Sequence, residues 1–225
     1  MAFIPKAHRV PKININKFDI DSLKSLFLHP SEFLEQEKDL SYRSIVLRYF
    51  WFVLAIQIVL FITGFYGYAK SGLEILIIAP IAALLVYVIP ALIMPFFSGA
   101  ITHLGVLIIG NREGFYNTFK PVAYSMFIKT LYMSALALIF QILNIFMPLP
   151  ASASDSGMGI YFAFAIVFII AGLIHSFYIR ILGIMKYHKM SWWKAFFSAL
   201  VGPVLLTIYG TFMLLVLDYI SIFLG

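Results

Sequence analysis

Long apolar runs separated by short polar loops constrain this chain more than any other feature. Of its 225 residues, 62% are hydrophobic and 12% are charged, whereas a soluble domain is usually about half apolar and a quarter charged. Runs of about 20 apolar residues can cross a bilayer as helices. Backbone groups in lipid must be satisfied internally, and the residue alternation of barrel strands is missing here. We therefore expect an all-α integral membrane protein.

Five apolar stretches predict five transmembrane helices in a domain covering residues 44–225. The predicted spans are 44–68, 73–109, 121–146, 160–185 and 196–223. The second stretch is unusual, because its 37 residues would form a helix of roughly 55 Å, whereas the hydrocarbon core is about 30 Å thick. Pro80, Pro90 and Pro95 interrupt it. It therefore forms either one long kinked span or a re-entrant pair of shorter helices.

The positions of the basic residues favour a single crossing by residues 73–109. In that case the N-terminal tail and the loops near 110–120 and 180–195 share one side of the membrane. That side holds every Lys and Arg of the tail and loops except Lys70, and the positive-inside rule makes it the cytoplasm. We expect a protein of the cell (cytoplasmic) membrane with its N-terminus cytoplasmic and its C-terminus outside.

The N-terminal residues precede the first apolar run. Residues 1–20 are polar and basic and predict a flexible cytosolic tail. No apolar segment typical of a cleavable signal peptide appears in the first 40 residues, so the first span is expected to serve as an uncleaved anchor.

Residues 21–43 predict two short amphipathic helices with Pro30 between them. Proline can end the first helix or begin the second. Such helices would lie on the bilayer or pack beneath the bundle, and the alternative is a solvated tail. The acidic side chains of the second helix are expected to face water, namely Glu32, Glu35 and Glu37.

The segment 178–197 between the fourth and fifth spans is basic and aromatic and contains no acidic residue. Lys, Arg and Trp are enriched where a cytoplasmic loop meets the membrane. Six side chains are predicted to contact lipid headgroups: Arg180, Lys186, Lys189, Trp192, Trp193 and Lys194.

Polar side chains inside the predicted spans are functional candidates, because burying them in lipid is costly. Four lie in the inner halves of their spans and predict a polar, cytoplasm-facing cavity for an ion, a proton or a lipid headgroup: His103, Tyr124, Lys129 and His175. The alternative for Lys129 is that its stem reaches back to the headgroups. Two histidines without a nearby carboxylate or thiolate make a weak metal site, so neither a metal nor another cofactor is expected.

Other polar and small residues indicate contacts between helices. Towards the outer side, Asp218 is predicted to form an interhelical hydrogen bond with Gln141 or Asn144, and the alternative is a role in translocation. Gly172 and Ser176 predict a close approach of the fourth span to a neighbour.

Recognisable catalytic motifs are absent. The sequence contains no Gly-rich phosphate loop, no H-E-x-x-H and no G-x-S-x-G, so no enzymatic activity is expected. The net charge of +6 comes from basic residues beside the apolar spans, as the positive-inside rule predicts, so nucleic acid is not expected as a partner.

Three segments together resemble the Yip family, the Ypt-interacting proteins of membrane traffic and their bacterial and archaeal relatives. Residues 23–36 resemble the family's apolar helix, Pro and aromatic pattern before the first span. Residues 108–127 resemble its Gly, aromatic and Ala/Gly-Tyr signature, and residues 183–200 its basic loop, in which Lys194-Ala195 begins the fifth span.

The resemblance implies a five-helix membrane protein with a cytosolic N-terminus. For eukaryotic members it also implies association with small GTPases and a role in vesicle budding or membrane shaping. The acidic, Pro-rich tail with a D-L-Y-G-P type motif is missing here, so the chain resembles a prokaryotic-type member.

Two functions from different classes are consistent with these features. The first is a non-enzymatic scaffold that organises membrane lipids or partner proteins, with partners bound through the cytosolic N-terminus and with homo-oligomers expected. The alternative is a transporter or channel for a small solute, ion or lipid.

Overall fold

The computed structural model describes residues 20–70, 78, 81, 82, 84–146, 155–205 and 208. Every regular element within these residues is helical. The elements are α1 (Ile20–Leu28), α2 (Pro30–Gln36), α3 (Tyr42–Lys70), α4 (Ile89–Ile108), α5 (Phe115–Phe146), α6 (Asp155–Tyr187) and α7 (192–205). The all-α fold class is therefore confirmed for the described part of the chain.

Four of these helices are long and apolar enough to cross a membrane. The candidate spans are Tyr42–Phe65, Ile89–Ile108, Phe115–Leu143 and Phe162–Tyr187. Each overlaps one of the first four predicted spans. The second candidate covers only residues 89–108 of the predicted 73–109, and the third begins at Phe115 rather than near residue 121. The fifth predicted span, 196–223, lies mostly outside the described residues, and α7 covers its first part. The chain is thus a multi-pass membrane protein with four candidate spans in the described residues.

The second predicted span is continuously helical over residues 84–108. It opens with a π-helical turn, Leu84–Val88, and continues directly as α4, with Pro90 in the first turn. Proline lacks an amide donor, and a wider π-turn is a place where a helix accommodates such an irregularity. This part of the chain therefore favours one crossing over a re-entrant pair, while residues 71–77, 79, 80 and 83 lie outside the description.

Helix α5 lies at the centre of the bundle, because α3, α4 and α6 all pack against it. Its Tyr124 and Phe127 are fully buried, and one core cluster joins them to Leu26 of α1 and Phe33 of α2. The rings of Phe33 and Tyr124 meet edge to face with their centroids 5.0 Å apart. The short N-terminal helices therefore share the core of the long ones.

Two glycines of α6 allow this helix to approach α5 closely. A Cβ atom added to Gly172 would lie 2.8 Å from Cβ of Tyr132, and one added to Gly183 would overlap Pro121. Small residues permit such backbone contact between membrane helices. The close approach predicted at Gly172 is confirmed.

The N-terminal helices and two loops meet at one end of the bundle, which we call the capped end. The Tyr187 hydroxyl at the end of α6 donates a hydrogen bond to the carbonyl of Leu34 in α2 at 2.7 Å. Asn111, between α4 and α5, donates from Nδ2 to the carbonyl of His188, just after α6, at 2.8 Å. This arrangement is the one expected if the second span crosses once.

Candidate functional site at the capped end

Glu37, which follows α2, is buried with its charge paired. Its side chain is 4% exposed, and Nη1 of Arg48 in α3 lies 2.7 Å from its Oε2 atom. The hydroxyl of Tyr124 in α5 donates to the same oxygen at 3.1 Å. Partners of this kind are required because an unpaired buried charge is costly. Glu37 therefore fastens the end of α2 to two long helices.

The prediction that Glu37 faces water is wrong, whereas Glu32 and Glu35 are exposed as predicted. Glu37 follows Phe33 by four residues, and residues at this spacing lie on the same side of a helix. Phe33 is fully buried, so the spacing indicated where the Glu37 side chain would point. An acidic side chain was expected to stay in water only because of its residue type.

Two lysines also hold α2 against the bundle. Lys120 of α5 donates a hydrogen bond to the carbonyl of Lys38, and Lys186 of α6 donates to the carbonyl of Ser31 at 2.6 Å. Nζ of Lys186 also lies 3.5 Å from the exposed carboxylate of Glu35, a type of pair that contributes little in water. The two N-terminal helices are therefore an integral part of the capped end.

A chain of hydrogen bonds links two histidines at this end. Nδ1 of His103 in α4 lies 2.9 Å from Oγ1 of Thr118 in α5, which lies 2.9 Å from Nε2 of His188. Nδ1 of His188, in turn, lies 3.3 Å from Oδ1 of Asn111. Of these four residues only His103 was predicted as a site residue, because no pattern along the chain connects Thr118, His188 and Asn111.

The amide of Asn111 determines which atom donates and which accepts in each of these hydrogen bonds. Its Oδ1 accepts from the backbone N–H of Glu113 at 2.9 Å, and its Nδ2 donates to the carbonyl of His188. Oδ1 therefore also accepts from Nδ1 of His188, which leaves Nε2 of the neutral ring to accept from the Thr118 hydroxyl. The oxygen of Thr118 then accepts from Nδ1 of His103. Each histidine therefore carries its proton on Nδ1, and the resulting chain of hydrogen bonds joins α4, α5 and the end of α6.

Burial lowers the pKa of His188 to about 4 from its ordinary value of 6.5; the charge of Glu113 raises this pKa and His103 lowers it. His188 is 1% exposed, which explains why desolvation dominates. The ring is therefore neutral near pH 7, as the hydrogen bonds require. Within the described residues, no three His, Asp or Glu side chains cluster as a metal site would need.

The four residues of the predicted cytoplasm-facing site lie in separate places. Tyr124 and His103 belong to the two sets of contacts described above. His175 of α6 packs edge to face against Phe27 of α1, with ring centroids 4.6 Å apart. Lys129 is exposed and lines a different region of α5. The structure therefore does not bring the four together in one site.

Lys129 lines a cavity of about 480 Å³ between α3, α4 and α5. Near it, the hydroxyls of Tyr49 and Thr130 lie 3.1 Å apart. Gln141 lines the cavity farther along α5. The remaining lining side chains are largely apolar, and the described residues of the wall include no Asp or Glu: Val53, Gln57, Leu60, Phe61, Tyr87, Ala91, Met94, Met126, Met133, Ser134 and Ala137.

Gln141 forms an interhelical hydrogen bond with a partner that was not predicted. It accepts a hydrogen bond from the hydroxyl of Thr63 in α3. Asp218 and the side chain of Asn144 lie outside the described residues, so the predicted contact of Asp218 stays a prediction.

Arg180 and Lys186, two of the predicted headgroup contacts, instead bind other parts of the protein. Arg180 is 9% exposed, and its Nη2 lies 3.3 Å from Oγ of Ser125, because it points into the interface of α6 with α5. Lys186 holds α2 as described. The other four are exposed and stay candidates for headgroup contact: Lys189, Trp192, Trp193 and Lys194.

Four helices are apolar and long enough to cross a membrane, so the chain is a multi-pass membrane protein. Its two short N-terminal helices close one end of the bundle. The family model of the Yip1 domain matches residues 24–215, and the chain belongs to this family. No curated protein and no solved structure matches the chain significantly. The family resemblance noted in the sequence is therefore confirmed.

Proposed function

We propose that this chain is a non-enzymatic membrane scaffold that organises membrane lipids or partner proteins at its cytoplasmic face. The observation that supports this best is the docking of α2 on the bundle through the buried Glu37. The buried side chains of Glu37, Arg48 and Tyr124 contact one another between helices at the capped end, which is what a fixed surface requires. Organising a membrane in this way parallels the membrane traffic or shaping implied by eukaryotic relatives.

The surface that we propose to meet the membrane is the loop after α6 together with the start of α7. Trp192 and Trp193 are 40% and 65% exposed, and Lys189 and Lys194 are exposed beside them. Indole rings favour the headgroup level, and each nearby lysine attracts an anionic leaflet by about 1 kcal/mol. We place this surface at the cytoplasmic leaflet, with protein partners bound through the cytosolic N-terminus.

Lipid sorting by the reconstituted protein tests the scaffold. A donor dye is attached to the full chain through Ser191→Cys, which lies between the exposed lysines. Energy transfer is compared for acceptor-labelled phosphatidylglycerol and phosphatidylcholine in the same liposomes. We expect greater transfer to phosphatidylglycerol, and we expect the double variant Lys189→Gln/Lys194→Gln to lose most of this excess. Equal transfer to both lipids in the labelled chain that keeps Lys189 and Lys194 contradicts the proposal.

The alternative, a transporter or channel for a small solute, ion or lipid, is favoured by one observation, the cavity beside Lys129. His103 and His175, with which Lys129 was expected to form a polar site, do not line it. The alternative therefore depends on a single cation in a largely apolar cavity. The scaffold explains more of the polar contacts at the capped end.

A further inference from the structure

We propose that the cavity beside Lys129 binds an acyl chain of an anionic membrane lipid, whose negatively charged group pairs with the Lys129 ammonium. This site is separate from the loop surface on which the scaffold depends. The proposal concerns binding alone, so it holds whether or not a ligand is moved across the membrane.

The ammonium group of Lys129 makes one end of the cavity suited to an anion. The residue lies within the apolar span Phe115–Leu143, where an ammonium is expensive unless something neutralises it. Lys129 is the sole charged side chain among the described residues of the cavity wall. Tyr49 and Thr130 add hydroxyls beside it. One end of the cavity is therefore suited to an anion, with hydrogen-bonding groups next to the cation.

The shape of the cavity indicates what is attached to that anion. Along α5 the wall extends from Met126 to Gln141, a length of roughly 22 Å at the helical rise. Its volume of about 480 Å³ falls within the range of about 300–1,000 Å³ typical of small-molecule sites. Met94, Met126 and Met133 contribute flexible apolar side chains that adapt to an irregular ligand. A long apolar space with a cation near one end fits an acyl chain with an acidic group.

The depth of Lys129 is consistent with a lipid that enters from the leaflet at the capped end. Lys129 follows Tyr124 by five residues, so it lies roughly 8 Å deeper along α5. Tyr124 contacts Glu37 at the capped end, and the cavity extends from Lys129 away from that end. Tyr87 and Met94 of its wall are 60% and 53% exposed, so the cavity adjoins the surface that faces lipid. A phospholipid and a free fatty acid could both supply this chemistry.

Photolabelling with three probes tests the site and separates these sources. The full chain in nanodiscs is labelled with phosphatidylglycerol or phosphatidylcholine carrying the same diazirine acyl chain, and with a diazirine fatty acid. We expect at least one anionic probe to label the α3 and α5 walls about tenfold more than phosphatidylcholine does, as a charge-assisted contact predicts. Whichever anionic probe labels more strongly identifies the source of the acidic group.

Two substitutions at Lys129 test its role. Lys129→Met should lower labelling by the anionic probe about tenfold, whereas Lys129→Arg should retain it. Lys24→Met, which removes an exposed lysine of α1, is the control and should change nothing. Unaltered melting of Lys129→Met in detergent without added lipid would show that the variant is folded.

Several results would overturn the lipid site. The first is equal labelling of the cavity walls by phosphatidylglycerol, phosphatidylcholine and fatty acid. The second is undiminished labelling of folded Lys129→Met. The third is undiminished labelling of Ala137→Phe, in which the added ring occupies the cavity. A failure of lipid sorting at Lys189 and Lys194 concerns a different surface and leaves this test unaffected. The two proposals therefore fail independently.

Discussion

Replacing Glu37 by alanine is expected to lower the free energy of unfolding by about 3–5 kcal/mol, the usual effect of breaking a buried ion pair. The substitution leaves the buried guanidinium of Arg48 without its carboxylate and removes the acceptor of the Tyr124 hydroxyl. Chemical denaturation of the full chain at constant detergent concentration measures the change. Loosening of α2 should also make the segment near Gln36 more sensitive to protease.

Two further variants show whether the pairing itself causes the loss. Glu32→Ala removes an exposed carboxylate from the same helix and should change the free energy of unfolding by no more than about 0.5 kcal/mol. The double variant Glu37→Leu/Arg48→Met should lose less than Glu37→Ala, because apolar side chains leave no buried charge unpaired. If Glu37→Ala is as stable as Glu32→Ala, the buried pair does not hold the cap.

Acidification from pH 6.5 to pH 4 is expected to destabilise the fold by roughly 3 kcal/mol through His188 alone. The folded pKa of about 4 lies below the ordinary value of 6.5. Between these two values the unfolded chain binds a proton that the folded chain does not, so stability falls as the pH falls. Above about pH 7.5, where the unfolded chain no longer binds the proton, this contribution is complete and no longer changes. Denaturation curves collected across this pH range measure the effect.

The variant His188→Gln provides the control for other titrating groups. Glutamine has no proton to gain in this range, and all other side chains are the same in both proteins. The difference between the two pH profiles therefore isolates His188. Parallel profiles from pH 4 to pH 6.5 would mean that the His188 ring is not buried between Thr118 and Asn111 as described.

The long helices could be predicted from the sequence because their cause is local. Apolar length and the need for internal hydrogen bonds determine a membrane helix without reference to its neighbours. Pro30 likewise separates α1 from α2 by removing a backbone donor at the first position of a helix. The charge pattern indicated a shared end for the N-terminal segment and two loops. Asn111 joins the two loops through His188, and Tyr187 joins the N-terminal helix α2 to the same end.

The candidate site was less predictable, because depth in a span does not determine which way a side chain points. Tyr124 and Lys129 are five residues apart on α5, which places them about 140° apart around the helix. Tyr124 therefore contacts the cap while Lys129 faces the cavity. His103 and His175 were judged by depth in the same way, and each contacts a different neighbour.

Burial of charged groups was the other source of error. Glu37 and Arg180 were assigned to water or headgroups from their residue types, although each is buried against a partner on a distant segment. Those partners, Tyr124 for Glu37 and Ser125 for Arg180, become neighbours only after the helices pack. Such pairs depend on tertiary contacts that periodicity along a single helix does not contain.

Cysteine accessibility tests most directly whether the cap and both loops share the cytoplasmic side. The chain has no cysteine, so Gln36→Cys, Arg112→Cys and Lys189→Cys each introduce a single exposed thiol. A membrane-impermeant maleimide is added to right-side-out and inverted vesicles. All three thiols should react in inverted vesicles alone. Reaction of Gln36→Cys and Arg112→Cys from opposite sides would contradict the capped end and the single crossing of residues 73–109.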